Sequence, residues 1–175
     1  MKISRRNLIK IIQEEIRRAE NSLPGVKIHI DPDLDRCQEN RDLILDFCKF
    51  CGKELDINHD INVRIVSNRE KENITTTAFY NPEDHDIAIY GKKRAIVDIC
   101  RSIAHELTHM SQMLQDRIKF PVQDAGGEIE DEANARAGEI IKLFAKSNNF
   151  RKSIYESRDH SRGEFLQHCR DHHQD

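Results

Sequence analysis

The stretch DICRSIAHELTHMSQMLQ, residues 98 to 115, decides both the fold prediction and the site prediction. Apolar side chains recur in it every three or four positions, which predicts an amphipathic helix over residues 95–117. His105 and His109 are four residues apart, so both imidazole rings project from one face of that helix. Glu106 lies about 100° further round, near the position that an ion held by the two rings would leave open. The spacing therefore indicates a metal site with an adjacent carboxylate.

The sequence before this helix has the period of β-strands. Residues alternate in polarity, or β-branched side chains cluster, in INVRIVS at 61–67, ITTTAFY at 74–80 and DIAIY at 86–90, after a shorter candidate, VKIHI, at 26–30. Pro82 in the segment NPED predicts a turn that joins the last two strands as a hairpin. We therefore expect an α+β fold, in which a short, mostly antiparallel sheet packs against the histidine-bearing helix.

Three further helices are predicted. Residues 4–22 form an amphipathic helix with a basic face, whose apolar stripe includes Leu8, Ile9 and Ile12. A second helix covers residues near 39–52 and is expected to end at Gly52. A third covers 128–146, with Ala133, Ile140 and Phe144 turned inward. The first two are the extra N-terminal helices of the predicted fold.

Length, composition and charge limit the partners of the chain. Its 175 residues are enough for one domain, with an N-terminal helix at 1–22, a core at 60–147 and a C-terminal tail at 148–175. The formal charge of -3 gives no broad attraction to nucleic acid, and no apolar run approaches the ~20 residues of a membrane span. Five cysteines without a paired pattern fit the reducing cytoplasm, and Cys48 and Cys51 are expected to be ordinary buried thiols.

The third metal ligand must come from another segment, because a catalytic zinc takes three protein ligands and leaves one position for water. No histidine lies between His109 and His160, but the helix at 128–146 begins with several acids. The candidates are Glu128, Glu130, Asp131, Glu132 and Glu139. Glu132 is favoured because it borders Ala133, whose small side chain lets two helices approach closely.

HELTH, followed by a glutamate in EDEANARAG, resembles the Glu-zincin metallopeptidases, in which a glutamate on the next helix is the third zinc ligand. The longer pattern DICRSIAHELTHMSQ…GGEIEDEANARAGEII is similar to small metallopeptidase-like proteins encoded by tailed bacteriophages, over roughly residues 60–146. The resemblance implies zinc, with His105, His109 and Glu132 as its ligands and Glu106 as the general base. It also implies a protein or peptide substrate, and a location in the cytoplasm or in a phage assembly.

Two positions depart from the pattern of that family. Arg136 stands where thermolysin-like enzymes have an aspartate that supports a ligand histidine, which leaves Asp98 or Asp131 for this role. No side chain that could stabilise an oxyanion has the family spacing. Tyr155 and His160, downstream of the ligand helix, are the candidates for it.

The same resemblance implies a strand that runs along the active-site cleft and pairs with an extended peptide. DIAIY precedes the histidine-bearing helix and alternates in polarity. Ile87, Ala88 and Ile89 are therefore the expected substrate-binding edge. An edge strand covered by another part of the chain would have the same sequence pattern.

Together these features predict a zinc-dependent hydrolase, and most directly a peptidase in which Glu106 removes a proton from water. One alternative is a non-catalytic binding protein or virion component, in which the metal only joins two helices. A second is a protease that acts on proteins bound to nucleic acid, which only the basic N-terminal helix suggests.

Overall fold

A four-stranded sheet and the helices packed on it form the computed structural model, which describes residues 5, 7–13, 25–70, 76–118 and 127–147. The elements in chain order are β1 (Val26–Ile30), α1 (Asp35–Glu39), α2 (Arg41–Glu54), β2 (Ile61–Val66), β3 (Ala78–Asn81), β4 (Asp86–Tyr90), α3 (Ile96–Leu114) and α4 (Glu128–Ser147). The predicted α+β class is confirmed, and the strands and long helices lie close to their predicted positions.

The strands are arranged in the order β1-β2-β4-β3, and two of the three pairings are parallel. β1 and β2 are joined through α1 and α2, and a helical crossover of this length returns the chain to pair in parallel. β3 and β4 form the predicted antiparallel hairpin. The expectation of a mostly antiparallel sheet was therefore wrong, because the helical segment between the first two strands specifies a parallel pair.

One face of the sheet carries the main core. Alternate residues of neighbouring strands point to this face, because successive side chains of a strand point in opposite directions. Those in the core are Ile28, Ile30, Ile61, Val63, Ile65, Ala78, Tyr80, Ile87 and Ile89. Val66 and Ala88, whose side chains point to the opposite face of the sheet, form a separate small cluster. The helices α2 and α3 cover the first face, and α4 packs on these two helices and completes the core.

The ends of α2 and α3 are closed in the same way. The residue after each helix cap adopts a left-handed conformation, Asp56 with φ 51° and Asp116 with φ 57°. After α3, the backbone nitrogen of Arg117 donates to the oxygen of Gln112 at 3.0 Å, as in a Schellman motif. Gly52 does not end α2 as predicted, because Asp56 takes the left-handed position and Gly52 stays buried inside the helix.

Aromatic rings and thiols fill the space between α2 and α4. Phe144 of α4 contacts Phe47 and Phe50 of α2 edge-on, with ring centroids 5.1 and 5.3 Å apart. Cys48 and Cys51 are both buried and free, which confirms their prediction as ordinary buried thiols. Burial raises the pKa of the Cys48 thiol well above its usual range.

The N-terminal helix is described only in part. Residues 7–13 are helical, as predicted, but Leu8, Ile9 and Ile12 are 49%, 47% and 49% exposed. The predicted apolar stripe is therefore not buried within this part of the chain. Among the residues that the structure describes, no helix combines the length and apolar character needed to span a bilayer.

Replacing Phe144 with alanine should destabilise the protein by about 3–5 kcal/mol, because it empties a fully buried aromatic site. Phe79→Ala is the matched control, since Phe79 is 45% exposed, and it should cost less than about 1 kcal/mol. Urea unfolding followed by circular dichroism measures both. Equal losses in the two variants would contradict this description of the core.

Candidate metal centre

The two histidines of the HELTH segment lie on one face of α3 and point at the same region. Their Nε2 atoms are 3.0 Å apart, and their rings meet edge-on with centroids 4.6 Å apart. This convergence follows from the four-residue spacing, which places both rings on one helical face. Ile103 and Leu107, on the opposite side of α3, are fully buried and fix the rotation of the helix.

Glu130, in the first turn of α4, completes a cluster of three ligand atoms. Its Oε1 lies 3.2 Å from Nε2 of His109, and its Oε2 lies 3.4 Å from Nε2 of His105. A tetrahedral ion about 2.0–2.1 Å from each ligand keeps its ligands about 3.3–3.4 Å apart. The spacing of these atoms therefore suits a metal ion, and it is the one such group found among the described residues.

The protonation of the His105 and His109 rings also suits the binding of a metal cation. Nδ1 of His109 lies 2.9 Å from Oε1 of Gln112, whose Nε2 is already occupied as a donor to α4. Oε1 must therefore accept, so Nδ1 of His109 carries a proton, and in the neutral ring this leaves the lone pair on Nε2. Burial, together with the neighbouring His109, lowers the pKa of His105. A neutral ring is the form that binds a metal.

Glu132, the predicted third ligand, is not part of this cluster. Its carboxylate accepts two hydrogen bonds from Arg117, at 2.9 and 2.6 Å, and one from Gln112. The Arg117 guanidinium holds the pKa of the Glu132 carboxyl below its usual range. The structure thus brings Glu130, two residues earlier, to the histidines, because residues two positions apart on a helix point about 160° away from each other.

Two amides support the histidines where an aspartate was expected. Gln112 contacts His109, and Asn134 of α4 forms a side-chain hydrogen bond with His105. Asp98, one of the two predicted supports, lies seven residues before His105, about 10 Å along the helix axis. Asp131, the other, lines the open cleft that passes over the two histidines, as Glu130 does. Sequence reasoning considered only carboxylates, although an amide oxygen accepts the same hydrogen bond.

Glu106 follows His105 and lines the same cleft. Burial raises the pKa of its carboxyl to about 8, and the nearby charge of Glu130 adds to the effect. Glu106 and Glu130 line this cleft together with His105 and His109. A bound cation would oppose both effects and favour the carboxylate.

A cleft of about 910 Å³ passes over the ligand cluster. The residues of α3 that line it include Asp98, Arg101, Ser102, His105, Glu106 and His109. Its opposite wall includes residues 76–80, which lead into and form β3. The cleft thus lies between the open edge of the sheet and the two ligand-bearing helices.

The strand along this cleft is β3 and not β4. β4 is paired on both sides, with β2 and with β3, so Ile87, Ala88 and Ile89 cannot form the substrate-binding edge that was predicted. The hairpin connection places β3 outside β4. Within the described residues no strand pairs with the far side of β3, which leaves that edge to the cleft.

Arg94 joins the sheet to α3 at one end of the cleft. Its guanidinium donates to the backbone oxygens of Tyr90 and Asp98, at 2.9 and 2.7 Å, and to Oγ of Ser102 at 2.8 Å. Burial lowers the pKa of Arg94, and the hydrogen bonds offset its desolvation. This contact fixes the start of α3 against the end of β4.

The predicted oxyanion-stabilising residues, Tyr155 and His160, lie outside the described part of the chain. Tyr80 borders the cleft from β3, and its hydroxyl lies 2.9 Å from Nδ1 of His85. Burial raises the pKa of Tyr80 to about 12, so its hydroxyl stays protonated near neutral pH.

Comparison of the chain with protein-family models, with curated proteins and with solved structures finds no match. The geometry of the cleft and the donor atoms must therefore support any functional conclusion.

Glu130→Ala should abolish tight binding of a metal ion such as zinc, because it removes one of the three candidate ligands, while Glu128→Ala should leave such binding unchanged. Glu128 is an exposed acid in the same helical turn, so it controls for lost negative charge. Metal analysis after dialysis, with circular dichroism to verify folding, measures the effect. About one zinc per chain in the Glu130→Ala variant would exclude Glu130 as a ligand.

Proposed function

We propose that this protein is a zinc-dependent peptidase of the Glu-zincin type, with His105, His109 and Glu130 as metal ligands and Glu106 as the general base. The observation that carries the proposal is the position of Glu106. A half-buried carboxyl that lines the same cleft as two imidazoles and a carboxylate is the arrangement that water-activating hydrolases need. Zinc held there would polarise the scissile carbonyl and make the attacking water more acidic.

Glu106 carries the proton through the reaction. Its carboxylate removes a proton from the attacking water, and the resulting carboxylic acid gives that proton to the leaving amine. A carboxyl whose environment raises its pKa is suited to both roles, because it can hold and release a proton near neutral pH. Removal of this one carboxyl should therefore stop hydrolysis without removing a ligand.

The edge of β3 supports an extended peptide as the substrate. The backbone nitrogen of Tyr90 donates to the oxygen of Thr77 at 2.9 Å, so Thr77, and by alternation Phe79, face β4. The backbone groups of Ala78 and Tyr80 consequently face away from β4. A peptide that runs along the cleft could pair with them as an added strand. Association with a larger phage assembly belongs to this proposal through the sequence resemblance alone.

A metal-stabilised protein without catalytic activity is the second candidate. It is favoured by the ligands themselves, since two come from α3 and the third from α4, and an ion between them would join the helices. Stabilisation of the native fold by bound zinc is common to both functions. Glu106 distinguishes the two functions. A structural zinc ion is held by four protein ligands and leaves no position for water, so a neighbouring carboxyl would have no water to deprotonate.

Glu106→Gln should bind zinc as the wild-type protein does and lose hydrolysis by at least about 100-fold, since general-base catalysis contributes about that much or more. Cleavage of a mixture of random peptides, analysed by mass spectrometry, measures activity, and metal analysis measures zinc. Gln115→Leu, an exposed substitution one turn beyond the site, is the control and should remain active. Absence of cleavage by zinc-loaded wild-type protein would favour the structural function.

A further inference from the structure

Gln112 is a buried amide that lies between the two ligand-bearing helices. It belongs to α3 and only 1% of its surface is exposed. Its Nε2 donates to the backbone oxygen of Ile129 at 3.2 Å and to Oε2 of Glu132 at 3.0 Å, both on α4. Its Oε1 accepts from Nδ1 of His109 at 2.9 Å. One side chain therefore contacts both helices that supply the ligands.

The two acceptors on α4 flank the third ligand. Ile129 precedes Glu130, and Glu132 follows it by two residues. A donor that holds both acceptors fixes the first turn of α4, and with it the backbone that carries Glu130. Nδ1 of His109 is fixed by the other end of the same amide. The orientation of two ligands thus depends on one side chain.

Only an amide provides this combination of contacts. A carboxylate at position 112 would accept from His109 but would have no proton to donate to α4. It would also lie against the carboxylate of Glu132 and repel it. An apolar side chain of similar length would satisfy neither helix and would leave Nδ1 of His109 without its acceptor.

Arg117 supports this arrangement from outside. Both oxygens of Glu132 accept from its guanidinium, at 2.9 and 2.6 Å, which holds the carboxylate toward Gln112. Arg117 is placed there by the turn that closes α3, in which its backbone nitrogen donates to the oxygen of Gln112 itself. The chain of contacts runs from Arg117 through Glu132 and Gln112 to His109.

We propose that Gln112 is a positioning residue that sets the tautomer of His109 and the place of Glu130 together, with Glu132 and Arg117 as its support. This inference rests on the metal site of the proposed function. It assigns Glu132, whose place in the motif matches a zinc ligand, to the support of another ligand instead. Residues of this kind typically change metal affinity by about 10–100-fold when they are removed.

Four variants test the inference through zinc affinity, measured by competition with a chromophoric chelator. Gln112→Leu should lose about 10–100-fold, because it releases both ligands. Gln112→Glu and Glu132→Ala should each lose less, because they disturb α4 and leave the acceptor of His109 in place. Gln115→Leu, on the exposed side of the same helix end, should match the wild-type protein.

Nitrogen-15 spectra of the histidine rings in the zinc-free variants separate positioning from general destabilisation. Wild type, Gln112→Glu and Glu132→Ala should each show His109 protonated at Nδ1, whereas Gln112→Leu should show a mixture of tautomers. If Gln112→Leu does not fold, Gln112→Glu and Glu132→Ala still decide the role of the α4 contacts.

The inference is overturned if the Gln112 and Glu132 variants bind zinc as tightly as wild type, or if Gln112→Leu keeps a single tautomer. Failure of the wild-type protein to bind zinc has a different meaning. That result would remove the proposed function itself, whereas normal wild-type binding with unaffected variants would remove only the role of Gln112.

Discussion

The close packing of α3 against α4 is the constraint on which the site depends. Ala104 on α3 and Ala133 and Ala137 on α4 are fully buried, and their small side chains permit the helices to approach. Because α3 carries two residues of the candidate metal-binding cluster and α4 carries the third, the distance between these helices sets the size of the cluster. Phe144, further along α4, packs on α2 and so holds α4 from its other end.

The sheet contributes the second wall of the site. Its order places β3 at the edge, where the cleft runs between that strand and α3. Arg94 holds the two walls together, since it bonds to the end of β4 and to the first turns of α3. The spacing of ligands and the spacing of cleft walls are therefore set by separate contacts, one between helices and one between helix and sheet.

Much of this architecture could be predicted from the sequence because it is local. The convergence of His105 and His109 needs only the geometry of one helix, and the β3–β4 hairpin needs only a turn between two strands. The direction of strand pairing was mispredicted, because it depends on which segments lie between the strands. The longer helix between β1 and β2 was predicted, but its consequence, a parallel pair of strands, was not drawn.

The third residue of the candidate metal-binding cluster shows the limit of inference from neighbouring positions in the sequence. Glu130 lies three residues before Ala133 and seven before Ala137, so it continues the buried stripe of α4, whereas Glu132 lies about 100° away from it. The period of the buried alanines was sufficient to favour Glu130, but adjacency to Ala133 favoured Glu132. The role of Gln112 could not be predicted in this way, because its partners on α4 become neighbours only after the helices pack.

X-ray absorption spectroscopy of the zinc-loaded protein tests the central claim most directly, because it reports the elements bound to the ion and their distances. We expect only nitrogen and oxygen neighbours at about 2.0–2.1 Å, with the multiple-scattering pattern of two imidazoles. A sulfur neighbour at about 2.3 Å, or a first shell without imidazole, would place the metal elsewhere and contradict the site between α3 and α4.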